Sequence, residues 1–319
     1  MTLIRAPPAS RPAPQRWVSF YSVCYTAPMA KAPKNIPIKY WSYSSLITFL
    51  RNPLAWHKRY VEQVYDIPYS PSAVVGRAAH TALEHYYSGI SKEGAVELGL
   101  EYLRNIADFE INFGHRRRRG PAGSGDKAKK KKRASMEREY LQAVGFFFAR
   151  PPKYKVLGVE AKATVKVSGL PLPVKAISDL VAQSQVDPRG VDVVDFKFVS
   201  FFSPYRGDKS LFILQAIFNY YTVKKTFNKP VRRFIVHEVK IPRNKDGSSQ
   251  MRRHVIDFRT FREEFIIFNR LIRDATAALA KTRVFLPNPS DIFEGENSFD
   301  IYRINLAPEE YDAHFRPDK

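Results

Sequence analysis

Two stretches decide the fold, AISDLV at residues 176–181 and VVDFK at residues 193–197. Both are apolar and rich in β-branched residues, which predicts two neighbouring β-strands. Because side chains alternate across a strand, Asp195 and Lys197 share one face of the sheet. A carboxylate and an ammonium group on a buried strand are costly unless they are paired or used. The two stretches therefore predict a sheet that carries a charged site.

Asp179 lies near the end of the first apolar strand, and Asp195 ends the apolar part of the second. Two aspartates on neighbouring strands offer the oxygen ligands that Mg²⁺ and Mn²⁺ prefer. Lys197 could then orient or activate water beside the ion. A single D-x-K tripeptide is common, however, and is more often a surface salt bridge at a strand end. The surrounding sequence has to decide between the two interpretations.

Working outward from these strands, the periodicity of apolar residues predicts an α/β fold. Strands are expected at residues 156–167, 173–183 and 191–198, followed by a hairpin formed by 231–241 and 253–257. Helices are expected at residues 42–64 with a break near Asn52, and at 72–88, 92–113, 135–149, 209–226 and 259–283.

The chain has 319 residues, of which 44% are hydrophobic, and this is ample for a sizeable core. We expect a disordered Pro/Ala-rich tail at residues 1–38 and a single domain at residues 39–319. Cys24 is the only cysteine. One thiol gives no disulfide within the chain and no cysteine-ligated zinc site or iron–sulfur cluster from a single chain.

The net charge is +21, which favours a polyanionic partner. Residues 116–133 hold ten Lys/Arg and one Asp. Because like charges repel, we expect a basic flexible loop at residues 114–134. This loop is either solvated, or a clamp on nucleic-acid phosphates through residues such as Arg116, Arg117, Lys130 and Lys131, or a nuclear localisation signal. No apolar run reaches the length of a membrane span, and no secretory signal is visible, so no membrane partner is expected.

Several short motifs, taken in order, resemble the RecB-like branch of the PD-(D/E)XK nuclease superfamily. SSLITFLRNPLAWHKRY at 44–60 resembles its N-terminal helix, and GRAAHTALE at 76–84 resembles its G-x-x-x-H-x-x-L-E helix. AISD at 176–179 resembles G-x-x-D, DFK at 195–197 resembles D-x-K, and Gln215 with Tyr220 resembles a Q-x-x-x-Y helix. The resemblance covers about residues 42–225.

The resemblance implies a restriction-endonuclease-like core, with a mixed central sheet flanked by helices, plus a helical N-terminal part. It implies that Mg²⁺ or Mn²⁺ is bound by Asp179, Asp195 and the carbonyl of Phe196, with Lys197 as the catalytic lysine. It further implies that His80 binds the metal or lies close to it, and that Glu160 supports the site or binds a second ion. The expected contacts with DNA are Gln215, Tyr220 and Arg77, the first two of which could instead brace the site.

The sequence also departs from the family pattern. Asn52 stands where iron–sulfur relatives have a cysteine, so we expect a member without a cluster. Tyr220 follows Gln215 by five residues rather than four, which rotates it by about 140° on a helix instead of about 40°, so core packing is an equal alternative. A lone helical histidine is usually structural, but Gly76 one turn before His80 favours a functional role. Glu160 has a solvent-facing alternative.

The function expected from this resemblance is that of a metal-dependent DNA exonuclease of a phage-type or CRISPR-associated-like kind. It would act in recombination, repair or replication in the cytoplasm of a bacterial or phage-infected cell. Its partners would be DNA and either a second copy of the chain or a recombination or replication protein. The alternatives are a catalytically inactive DNA-binding or assembly protein with the same fold, and a sequence-specific endonuclease.

Overall fold

The computed structural model describes residues 36–64, 68–113, 124–203 and 209–287. Within these residues the chain forms a mixed sheet of six strands flanked by seven α-helices, which confirms the predicted α/β class and the restriction-endonuclease-like core. The strands are β1 Trp41–Ser42, β2 Val156–Val165, β3 Val174–Gln183, β4 Val191–Val199, β5 Val231–Lys240 and β6 Met251–Asp257. The helices are α1 Tyr43–Arg51, α2 Pro53–Tyr60, α3 Pro71–Tyr87, α4 Lys92–Asn105, α5 Ser124–Ala149, α6 Lys209–Phe227 and α7 Glu263–Lys281.

The predicted break near Asn52 is confirmed by the end of α1 and the start of α2. The Asn52 side chain accepts a hydrogen bond from the Ala55 backbone N–H, and Pro53 occupies the first helical position. Proline is tolerated there because this position needs no hydrogen-bond donor. The expected helix over 92–113 is shorter, since α4 ends at Asn105 and a 3₁₀ turn follows at Asp108–Glu110.

The prediction of a basic flexible loop at 114–134 is wrong from residue 124 onward, because α5 begins at Ser124. Lysine and alanine are strong helix formers, and their propensity outweighs the repulsion between neighbouring lysines. Arg133 anchors this part of α5, since its guanidinium binds the Asp108 carboxylate and donates to the Leu103 and Ile106 carbonyls. Residues 114–123, with Arg116 and Arg117, lie outside the described residues.

The sheet is covered on both faces. Val194 packs in a cluster with residues of α3 and α5, whereas the preceding Val193 packs in another with Ala216 of α6. Because consecutive strand residues point to opposite faces, α3 and α5 cover one face and α6 covers the other. The third cluster joins α1, α2 and α7 to the start of β3.

The neighbouring strands β3 and β4 separate partway along the sheet. Their antiparallel pairing ends at Leu180 and Val194, while further along β3 the strand β1 pairs in parallel at Val174. The next residues beyond the last β3–β4 pair are Asp179 and Asp195. The Asp179 carboxylate accepts a hydrogen bond from the Phe196 backbone N–H at 2.9 Å, so a side chain replaces the missing strand pairing. The fork between β3 and β4 therefore holds both aspartates.

Candidate active site

Asp195 lies inside the fork with little exposure to solvent. Its Oδ1 accepts hydrogen bonds from Gln215 Nε2 at 2.7 Å and from Lys197 Nζ at 3.0 Å. Its Oδ2 lies 2.8 Å from Lys197 Nζ as an ion pair, but it is buried and receives no hydrogen bond from the described residues. A buried carboxylate oxygen that accepts no hydrogen bond is a suitable ligand for a cation.

His80, Glu160 and Asp179 converge from three different elements. Each offers one donor atom, and the three atoms lie within 4.8 Å of one another. The Nδ1 of His80, on α3, lies 3.4 Å from Asp179 Oδ2. The three side chains face a cavity of about 10 Å³, which has room for about one water-sized sphere. The cavity is also lined by Leu83, Glu84, Tyr87 and Phe196.

Glu160 lies opposite Asp179 between the β2–β3 pairs Val159–Leu180 and Ala161–Ser178. Its φ is +47°, a left-handed backbone conformation that costs a non-glycine residue about 1–3 kcal/mol. Such strain persists only where the surroundings impose it, and it concentrates at functional sites. The solvent-facing alternative for Glu160 does not describe this position, because the side chain is half-buried against the other carboxylate.

The site carries more negative than positive charge. Burial, with the nearby charges of Asp179, Glu84 and Asp195, raises the pKa of the Glu160 carboxyl to about 7. Burial also raises the pKa of Asp179, although the charges of His80 and Lys197 oppose this rise. A divalent cation would relieve this crowding of carboxylates.

Lys197 is the cation within this cluster. Burial alone would lower its pKa, but the charges of Asp195 and Asp179 outweigh burial, so that its pKa lies above the ordinary value. Lys197 is therefore a charged hydrogen-bond donor at neutral pH and not a base.

Helix α6 braces the fork from the opposite face. Gln215 donates to Asp195, as described above, and Asn219 one turn later accepts a hydrogen bond from Ser178 Oγ at 2.6 Å. The Asn219 amide also donates to the Gln215 carbonyl. Sequence reasoning did not assign a role to Asn219 or Ser178. The spacing of four residues between Gln215 and Asn219, which places both on one helix face, was the available signal.

The remaining predicted residues lie in other surroundings. Tyr220 packs with its ring centroid 4.9 Å from Phe258 and 4.8 Å from Phe265, which agrees with the core-packing alternative. Arg77 is exposed and lies over the Tyr69 ring at 3.8 Å. Lys130 and Lys131 are exposed on α5.

The free energy of unfolding is expected to depend on pH because of His237, which packs against Phe196. His237 is buried, its ring stacks on Phe196, and its Nε2 lies 2.7 Å from Tyr154 Oη. Burial and the charge of Arg253 lower the pKa of His237 to about 4. The unfolded chain therefore binds a proton at higher pH than the native protein, and the stability present above about pH 6.5 is lost as pH falls toward 4.

We expect the contribution of His237 to reach about 3 kcal/mol, measured as the difference between the wild type and His237→Gln in urea unfolding at successive pH values. The raised pKa values of Glu160 and Asp179 act in the opposite direction, equally in both proteins. His237→Gln should remove the destabilising contribution, so that the free energy of unfolding of this variant falls less than that of the wild type, or rises, as pH is lowered over the same interval. An unchanged slope in that variant would show that other groups cause it.

The donor set fits a divalent cation. Carboxylate oxygens suit Mg²⁺ and Mn²⁺, and an imidazole nitrogen adds a ligand that transition metals accept more readily than Mg²⁺ does. The cavity between His80, Glu160 and Asp179 and the buried Oδ2 of Asp195 lie on the two sides of the same fork. The residues present therefore match the chemistry of a metal-assisted hydrolase.

Comparison with known proteins identifies the class. A family model of the PD-(D/E)XK nuclease superfamily matches residues 40–291, which is most of the chain. The chain belongs to this superfamily. Membership supports a metal-dependent nuclease that acts on phosphodiester bonds, and it implies DNA as the substrate.

A solved structure described as "Crystal structure of SSO0001" aligns over 84% of this chain and 95% of its own length. It is 12% identical with a TM-score of 0.30, a likeness too weak to bear on fold or function. No curated protein matches the chain. Among the described residues, no helix is both long and apolar enough to cross a membrane.

Proposed function

We propose that the protein is a DNA exonuclease that uses Mg²⁺ or Mn²⁺ bound at the fork between β3 and β4. The observation that supports this most strongly is the convergence of His80, Glu160 and Asp179 on one small cavity, with Asp195 and Lys197 joined to it through Phe196. Three separate elements supply these groups, which a chance surface salt bridge would not require. The metal ligands would be His80, Glu160, Asp179, Asp195 and the carbonyl of Phe196.

The bound ion would polarise the scissile phosphate and lower the pKa of water. The charged Lys197 ammonium would donate a hydrogen bond to the phosphate oxygen on which negative charge develops. Asp195 holds Lys197 in place, and Gln215 fixes the orientation of Asp195 from α6. A charged donor that is already in position costs no reorganisation during the reaction.

Basic residues outside the fork would hold the DNA backbone. Lys130 and Lys131 are exposed on the first half of α5, where Lys127 is also exposed. Because these lysines lie on a helix, they form a positively charged surface of fixed shape, and not the flexible loop that was expected here. Contacts of this kind supply affinity without sequence preference and weaken steeply as salt rises.

The test compares linear duplex DNA with the same molecule as a covalently closed circle, each with Mg²⁺, Mn²⁺ or EDTA. We expect metal-dependent release of nucleotides from the linear DNA, while the closed circle remains intact. Gel electrophoresis follows the substrates, and acid-soluble nucleotides measure the product.

Cutting of the closed circle at fixed sites would instead identify a sequence-specific endonuclease. Stability of both substrates in all conditions, together with DNA binding, would identify a non-catalytic binding protein. Either result contradicts exonuclease activity.

A further inference from the structure

An exposed aromatic ring lies two residues after the end of β4. Phe201 is 82% exposed, the highest value among the large hydrophobic side chains of the described residues. It lies four residues after Lys197, so that its Cα is at most about 14 Å from that of the lysine. Exposure of so large a ring leaves its apolar surface in water, and its closeness in sequence to Lys197 makes it a candidate contact for the substrate.

The segment around Phe201 is held firmly. The backbone N–H of Ser203 donates to the Glu238 carboxylate at 3.2 Å, and the Ser203 hydroxyl donates to it as well. Glu238 is buried, and His254 Nε2 lies 2.8 Å from its second oxygen. A buried carboxylate is costly unless it is fully paired. Glu238 therefore needs its hydrogen bonds to Ser203, and these hold the segment that contains Phe201 in place.

A cation completes the arrangement. Arg252 donates to the Ser203 carbonyl at 2.9 Å, and its guanidinium lies over the Phe202 ring at 4.5 Å from the centroid. Phe202 is therefore partly covered, whereas its neighbour Phe201 is open to solvent. The positive charge next to an open ring suits a ligand that has both an aromatic face and a phosphate.

We propose that Phe201 stacks on an unpaired base of single-stranded DNA whose backbone passes toward the fork, with Arg252 close to its phosphates. This rests on the proposed function and names the form of DNA that the site receives. Protein docking is disfavoured by size, since a stable protein interface buries more than about 1,000 Å². One aromatic ring offers only about 150–250 Å², which is sufficient for one base.

Binding of a fluorescent single-stranded oligonucleotide tests the proposal, measured by anisotropy with Ca²⁺ in place of Mg²⁺. Base–aromatic stacking contributes about 1–3 kcal/mol, so we expect Phe201→Ala to weaken binding by roughly 5- to 150-fold. Phe201→Trp should bind as the wild type does. Phe109, 81% exposed on the Asp108–Glu110 turn, provides the matched control, and Phe109→Ala should leave binding unchanged.

An oligonucleotide with abasic sites separates stacking from charge. Phe201→Ala and the wild type should bind it equally, because the ring then has no partner. Wild-type affinity of Phe201→Ala for the normal oligonucleotide would overturn the proposal, and so would an equal loss with the abasic one. These readouts measure binding alone, so a failure of the exonuclease activity itself would be seen separately, in the cleavage of linear DNA.

Discussion

Lys197→Met is expected to lower the rate of metal-dependent DNA cleavage by roughly 100- to 1,000-fold, which is the usual cost of removing one preorganised donor to a developing negative charge. Methionine keeps the length and the apolar stem of the side chain but removes the ammonium group. The Lys197 ammonium is 2.8 Å from Asp195 Oδ2, and the nearby carboxylates hold its pKa above the ordinary value. The lysine is therefore charged and held in place before any substrate binds.

The same substitution has a second expected effect. Without the ammonium group Asp195 is a buried carboxylate with no ion-pair partner, so the metal-free protein should be less stable. A divalent ion would neutralise this charge, and Mn²⁺ should restore most of the lost stability. Thermal unfolding in EDTA and in Mn²⁺ measures both states.

Lys162→Met is the matched control, because Lys162 is an exposed lysine on β2. It should cleave linear DNA at the wild-type rate. A Lys197→Met rate within about threefold of wild type, in protein shown to be folded, would remove Lys197 from the mechanism.

The main parts of the site could be found from local sequence. Asp195 and Lys197 are two residues apart on an apolar strand, and His80 lies on a helix one turn after a glycine. Such short-range patterns are set by the alternation of strand side chains and the pitch of a helix. The structure brings these residues together with Asp179.

Pairings between distant segments were not predictable in the same way. The fork exists because β1, a strand of only two residues, pairs with one part of β3 while β4 pairs with another. Two residues give no recognisable periodicity. The positive φ of Glu160 likewise depends on the pairing of β2 with β3 and has no signature in the sequence.

The basic segment was misjudged because two local tendencies compete there. Charge repulsion between adjacent lysines favours an open chain, while the helix propensity of lysine and alanine favours α5. The salt bridge from Arg133 to Asp108 adds a tertiary contact that sequence alone does not show. The position of Tyr220, by contrast, could be judged from sequence. Its spacing of five residues from Gln215 indicated that its side chain points away from the site.

Asp195→Asn and Asp192→Asn should affect different properties, although both residues are buried aspartates on β4. The first should abolish DNA cleavage, and the second should lower the stability of the fold. Asp192 accepts hydrogen bonds from Arg233, with Nη2 at 2.6 Å, and is fully enclosed. Its neutralisation leaves the nearly buried guanidinium unpaired, so we expect the free energy of unfolding to fall by about 3–5 kcal/mol. At a temperature where the variant is folded, metal-dependent cleavage should continue at the wild-type rate.

Asp195→Asn should abolish cleavage, by at least about 1,000-fold, because a neutral amide is a poor ligand and the ion supplies several kcal/mol of charge stabilisation. Its effect on the stability of the metal-free protein should be smaller than that of Asp192→Asn. The substitution removes the attraction to Lys197, but it also removes repulsion from Asp179 and Glu160. Isothermal titration with Mn²⁺ should show weaker binding for Asp195→Asn alone.

The contrast separates catalysis from folding within one strand, because the two positions are only three residues apart and have the same side chain. If Asp192→Asn lost cleavage while folded, or if Asp195→Asn retained both Mn²⁺ binding and cleavage, the assignment of the fork as the metal site would be wrong. If both variants behaved as expected, the charge of Asp192 would be needed to stabilise the sheet, and the charge of Asp195 would be needed for DNA cleavage. Each aspartate keeps one buried oxygen that receives no hydrogen bond from the described residues, so the physical difference lies in their surroundings. Asp192 pairs with Arg233, whereas Asp195 lies beside Lys197 and close to the carboxylates of Asp179 and Glu160.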